Sequence, residues 1–133
     1  MIQSLPMSNP PEPHPLKGKT GVTRFVNAIR YSSQGLSAAY KNEEAFRQEV
    51  WAAVVLIPVA LWLALPGLTK ALMIAAVVLV LIVELINSGI EAVVDRISNE
   101  HHPLAGRAKD VGSAAVMLAM INCLVVWVLC LFF

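Results

Sequence analysis

Charge is what this chain has least of. Only 14% of its 133 residues are Asp, Glu, Lys or Arg, where a soluble domain carries about 25%. Ten basic and nine acidic side chains leave a formal net charge of +1. No bulk positive field exists to hold a nucleic acid. Cysteine is nearly absent: Cys123 and Cys130 are all there is. Seven residues apart on one helix they stand ~10 Å from each other, too far to bridge, so no disulfide framework follows. Neither GxxxxGK[ST] nor GxGxxG occurs, which excludes the P-loop and the protein-kinase apparatus. The first twenty residues contain no apolar run, so no cleavable leader is expected there. They hold five of the eight prolines (Pro6, Pro10, Pro11, Pro13 and Pro15), and we read residues 1–20 as a disordered, proline-rich tail.

What the chain does have is apolar length. Hydrophobic residues make up 57% of it, enough for a small all-α membrane bundle in one domain over 21–133. Residues 22–42 predict an amphipathic helix lying in the headgroup plane. Phe25, Ile29, Leu36 and Tyr40 form its apolar stripe, and Arg24, Asn27, Arg30, Tyr31, Gln34 and Lys41 its polar, partly basic face. Three spans follow. The first covers about 45–65, its most apolar part from Val50, and Pro58 is expected to kink it. Pro66-Gly67 turns the chain into a second span over about 68–97. A polar loop over 98–106 leads to a third span over about 107–131.

Six basic residues precede the most apolar part of the first span (Lys17, Lys19, Arg24, Arg30, Lys41 and Arg47). Arg96, Arg107 and Lys109 flank the second loop, and only Lys70 marks the first. The positive-inside bias therefore puts the amino terminus and the second loop in the cytoplasm. Ala108, Gly112, Ala115 and Ala119 form a small-residue seam on the third span, of the kind that lets helices approach closely. Three helices do not enclose a polar site by themselves, so a homo-oligomer is expected.

A polar line interrupts the second span: Glu84, Asn87, Ser88, Glu91 and Asp95. At ~100° per residue these positions share one helix face. Carboxylates are costly in a bilayer and mark functional sites there. Glu84 lies two turns, ~10 Å, deeper than Glu91. The two therefore address different depths, Glu91 the cytosol and Glu84 the lipid. Antiparallel packing brings Lys109, near the start of the third span, level with Asp95 and Glu91. Glu43, Glu44, Arg47 and Glu49 stand on the opposite bank. Carboxylates and a lysine at a membrane–water boundary suit a magnesium-bound phosphate ligand. An ion or proton pathway also needs intramembrane carboxylates, and polar side chains also simply join neighbouring helices. Residue chemistry leaves these readings open. His101 and His102, adjacent and diverging, read as a solvated loop pair.

NEEAFRQE at 42–49, IVELINSGIEAVVDRIS at 82–98 and HPLAGRAKDVGSAAV at 102–116 resemble the prokaryotic diacylglycerol kinases, a family of small trimeric membrane enzymes. The resemblance covers about 22–130. It implies ATP-dependent phosphorylation of diacylglycerol to phosphatidic acid at the bacterial cytoplasmic membrane, by a homotrimer whose sites are shared between protomers. It implies Glu84 as general base, Asn87 beside the transferred phosphate and Lys109 on the phosphates. Glu43 and Glu91 are implied as carboxylates for Mg²⁺, and Asp95, Arg24, Tyr31 and His102 as nucleotide contacts. Glu49, Ser113 and Trp127 are implied at the lipid pocket. Asn27 and Ser33 depart from the family pattern, where a basic and an aromatic residue are expected. A related branch phosphorylates undecaprenol, and acceptor choice does not follow from residue chemistry.

Overall fold

The computed structural model describes residues 20–97 and 102–133, together with Pro11. The proline-rich tail and residues 98–101 of the second loop, His101 among them, lie outside the described residues. Four helices and no strand are found among those described: α1 (Gly21–Asn42), α2 (Glu44–Trp62), α3 (Gly67–Ile97) and α4 (Pro103–Phe132). The chain falls into two units, one ending at Gly35 and the other comprising Leu36–Phe133.

Helices α2, α3 and α4 are each long and apolar enough to cross a membrane. In hydrocarbon every backbone N–H and C=O must be satisfied within its own segment, which is why such runs fold as helices. At 1.5 Å per residue, α2 is ~28 Å long, about the thickness of a bilayer core, and α3 and α4 are ~45 Å long. The two longer helices therefore project their last turns beyond it. Pro58 lies inside α2, where it withholds one backbone N–H from the helical ladder.

In the second unit α3 is the shared wall, packing against α2 and against α4. Its buried face is Met73, Ala76, Val77, Val80, Glu84 and Asn87, at spacings that follow one side of a 3.6-residue helix. The upper part of that face is apolar and the lower part polar, so the stripe continues the core. Outward faces remain apolar and uncovered, as at Val55, Leu61, Leu118, Leu124 and Phe132. That is the surface a bilayer solvates.

Side chains pin the helix ends. Arg47 Nη1 donates to the carbonyls of Tyr40 (3.0 Å) and Lys41 (2.9 Å) in the last turn of α1. Trp51 Nε1 donates to the Tyr40 hydroxyl at 3.1 Å. The Lys70 ammonium donates to the Leu61 carbonyl near the end of α2 at 2.7 Å. These carbonyls have no intrahelical partner, or only a weak one, and the cations satisfy them.

Two local expectations change. The third span starts at Pro103 rather than at Arg107. Pro103 occupies the first helical turn, where its missing N–H costs nothing, and His102 caps the helix by accepting the Leu104 N–H at Nδ1, 3.1 Å away. The small-residue seam is also broken: Gly112 and Ala119 are buried, but Ala115 is exposed and Val116 takes the inward position. Positions 115 and 116 flank the line joining 112 and 119 on a helix, and the contact with α3 selects the second. Cys123 and Cys130 are both free thiols.

Candidate active site

The stripe on α3 grades from buried to wet. Glu84 is 5% exposed and Asn87 8%. Ser88 and Glu91 are half-buried, and Asp95 is open. The order follows α3 from Glu84 toward its end, about three turns in all, as the cover from the neighbouring helices thins.

Three carboxylates are electrostatically coupled to Glu84, one from its own helix and two from outside it. Glu43 and Glu91 both act on Glu84 through their charges, and Glu49 and Glu84 are similarly coupled. Glu43 sits between α1 and α2 with extended backbone, φ −114° and ψ 108°, and its side chain makes no capping bond. Its carboxylate is therefore free for a ligand. The Arg47 and Trp51 contacts with the end of α1 hold that turn in place.

Lys109 Nζ lies 2.7 Å from Asp95 Oδ1, and the Glu91 charge also acts on the same ammonium. Both partners of the ion pair are largely exposed, so solvent screens it and it adds little to folding. Its effect is to fix where the ammonium points. Asn87 Nδ2 reaches Glu91 Oε1 at 3.5 Å, the long limit of a hydrogen bond.

Beside the carboxylates, an apolar cleft of about 370 Å³ runs between α2 and α4 over α3. Ala52, Leu56, Val77, Val80, Met120, Cys123, Leu124 and Trp127 line it, and Glu49 supplies its one charged wall. Both Glu49 carboxylate oxygens are buried without a hydrogen-bond partner among the described residues, as are Asn87 Oδ1 and Ser88 Oγ. A buried polar atom without a partner costs about 1–3 kcal/mol. Four of them around one cleft and one stripe mark a place prepared for a ligand. Trp127 closes the far wall, its Nε1 donating to the Met73 carbonyl at 3.1 Å. Replacing Trp127 by Phe should remove this cross-helix bond and lower stability by about 1 kcal/mol. A thermal melt in detergent checks it.

Of the residues singled out from the sequence, Glu84, Asn87, Glu91, Asp95, Lys109, Glu43 and Glu49 converge in this way. Trp127 lines the cleft, whereas Ser113 is exposed and not among its lining residues. His102 has one ring nitrogen engaged in capping α4. Arg24 and Tyr31 belong to the first unit, where Arg30 donates to the Tyr31 hydroxyl at 3.4 Å and stacks over its ring. Met120 and Cys123 were not anticipated. The signal was present, since residues 116, 120, 123, 124 and 127 recur at helical spacing, but an all-apolar helix does not announce which side faces a cleft. No group of three or more His, Cys, Asp or Glu forms a metal cage among the described residues. Two carboxylates meeting phosphate oxygens is instead the donor set that Mg²⁺ takes from a protein.

A helical membrane protein with a buried carboxylate between an acidic, lysine-bearing rim and an apolar cleft is built as an enzyme acting at a bilayer surface. The chain belongs to the prokaryotic diacylglycerol kinase family, whose family model matches residues 30–131. It is 53% identical over 108 residues to the diacylglycerol kinase of Escherichia coli K12, covering 81% of this chain and 88% of that one. To the diacylglycerol kinase of Pseudomonas aeruginosa it is 54% identical over 115 residues, covering 86% and 94%. A diacylglycerol kinase of Helicobacter pylori is 43% identical over 113 residues, covering 85% and 88%.

Proposed function

We propose that this protein transfers the γ-phosphoryl group of ATP to the hydroxyl of diacylglycerol, giving phosphatidic acid and ADP at the cytoplasmic face of a bacterial inner membrane. The observation that carries this reading is the position of Glu84. It is the buried end of the stripe, with the wetter Glu91 and Asp95 on one side of it and, on the other, Glu49, whose charge acts on it and which lines the apolar cleft.

Glu84 takes the proton of the lipid hydroxyl as the oxygen attacks the γ-phosphorus. The bond from that phosphorus to the β-bridging oxygen breaks, and ADP leaves. Glu43 and Glu91 would hold Mg²⁺, which when bound would neutralise phosphate charge. Lys109, aimed by Asp95, adds a positive point charge to the phosphates. Asn87 stands where the phosphoryl group crosses. Arg24, Tyr31 and the second ring nitrogen of His102 contact the nucleotide. Glu49 accepts from the lipid's polar end, and Trp127 walls in its chains, with Ser113 at the rim. Phosphoryl transfer is mostly positioning and charge neutralisation, which a small helical scaffold can supply. The family resemblance supports a homotrimer with sites shared between protomers, and the basic residues ahead of the first span support an amino terminus in the cytoplasm.

The test is incubation of purified protein with γ-labelled ATP in mixed micelles containing diacylglycerol and undecaprenol. Label is expected in phosphatidic acid. Label in undecaprenyl phosphate would reassign the acceptor, and ion flux through liposomes without labelled lipid would replace the enzyme reading by a conduit.

A further inference from the structure

Gly112 is the one described glycine whose missing side chain is filled by another residue. A Cβ built there would collide with Asn87 Oδ1 and lie 3.2 Å from Asn87 Cγ. Gly35, Gly89 and Gly106 have nothing within 4 Å of the same position. Whichever terminal atom of the carboxamide faces α4, the collision is the same. Asn87 is 92% buried by its 8% exposure, and its Oδ1 has no partner among the described residues. The other end of the amide points along the stripe to Glu91. The carboxamide is therefore held in the notch that Gly112 leaves in α4, with one end toward Glu91.

We propose that Gly112 is a positioning residue for the phosphoryl-transfer step. By lacking a side chain it admits the Asn87 carboxamide against α4 and holds it in line with Glu91. The inference rests on the kinase reading. A methyl at 112 would leave the helix intact, since alanine is the better helix former, but it would swing the carboxamide out of the notch. Misplacing a reacting or orienting group by about 1 Å costs up to about a hundredfold in rate.

The experiment is a double-mutant cycle on the full chain in mixed micelles, with Gly112→Ala, Asn87→Ala and the double variant compared with wild type. Turnover and the KM values for MgATP and diacylglycerol are measured together with thermal melts. Gly112→Ala should lower kcat at least about tenfold with the lipid KM unchanged. In the Asn87→Ala background the same change should alter kcat less than about twofold, because the group it displaces is gone. Equal penalties in both backgrounds, or a Gly112→Ala kcat within about twofold of wild type, would overturn the inference. If Gly112→Ala fails to fold but the double variant folds and turns over like Asn87→Ala, the inference stands. If neither folds, Gly112 serves helix packing at large and the inference falls. A wild-type protein that labels no lipid sinks the kinase reading and this inference with it, an outcome distinct from all the others.

Discussion

Glu84→Gln should lower turnover about a thousandfold, within the range that a positioned general base supplies, while leaving the fold and the KM for MgATP in place. The glutamine has the shape of the carboxylate but does not take the hydroxyl proton. Because Glu84 is buried beside other carboxylates, the neutral amide also relieves repulsion. The variant's melting temperature should therefore equal or exceed that of wild type. Activity lost with stability kept or gained separates a chemical role from a structural one. Glu84→Asp keeps the carboxylate but withdraws it by about one bond length, and should lose about a hundredfold through misplacement alone. Steady-state kinetics beside a thermal melt read both quantities. Wild-type turnover in Glu84→Gln would remove this residue from the role.

Glu91→Gln and Glu43→Gln should each move the Mg²⁺ activation curve to higher concentration and lower turnover about ten- to a hundredfold at limiting metal. Each change removes one of only two carboxylate ligands proposed for the ion, and Mg²⁺ takes few from a protein. The two variants should differ in rescue. Glu91 stands on α3, directly on the stripe. Glu43 stands on a turn held by Arg47 and Trp51 contacts to the end of α1. Arg47→Met should therefore reproduce part of the Glu43→Gln effect without touching a carboxylate. Turnover titrated against Mg²⁺ at saturating ATP tests this, and an unmoved activation curve in both carboxylate variants would separate them from the metal.

The membrane architecture was legible because a bilayer allows few solutions: long apolar runs become helices, and a polar line on one of them has to face protein. The stripe from Glu84 to Asp95 was read from spacing alone, and so was the meeting of Lys109 with Asp95. The start of α4 was misplaced because His102-Pro103 was read as loop punctuation, whereas it is a capping residue followed by a first-turn proline. Ala115 and Val116 could not be separated by period, since the choice depends on how α4 leans on α3. The apolar cleft was out of reach for a different reason. Its walls come from three helices, and aliphatic side chains carry no sequence mark for a void beside them. Glu49 was visible as a charge entering the first span and was put at a lipid pocket by resemblance, but residue chemistry did not mark it as the charged group of that void.

Helix α3 is the only described helix that touches both α2 and α4, and this has a consequence for biosynthesis. The chain emerges in the order α2, α3, α4, so a hairpin of α2 and α3 exists before the fourth helix is made. During that interval the notch at Gly112 is missing, and the Asn87 carboxamide has no α4 to lie against. The nascent hairpin thus lacks the helix against which Asn87 of the stripe packs in the full chain. The groups assigned to the chemistry are therefore covered only once the last helix of the chain is in place.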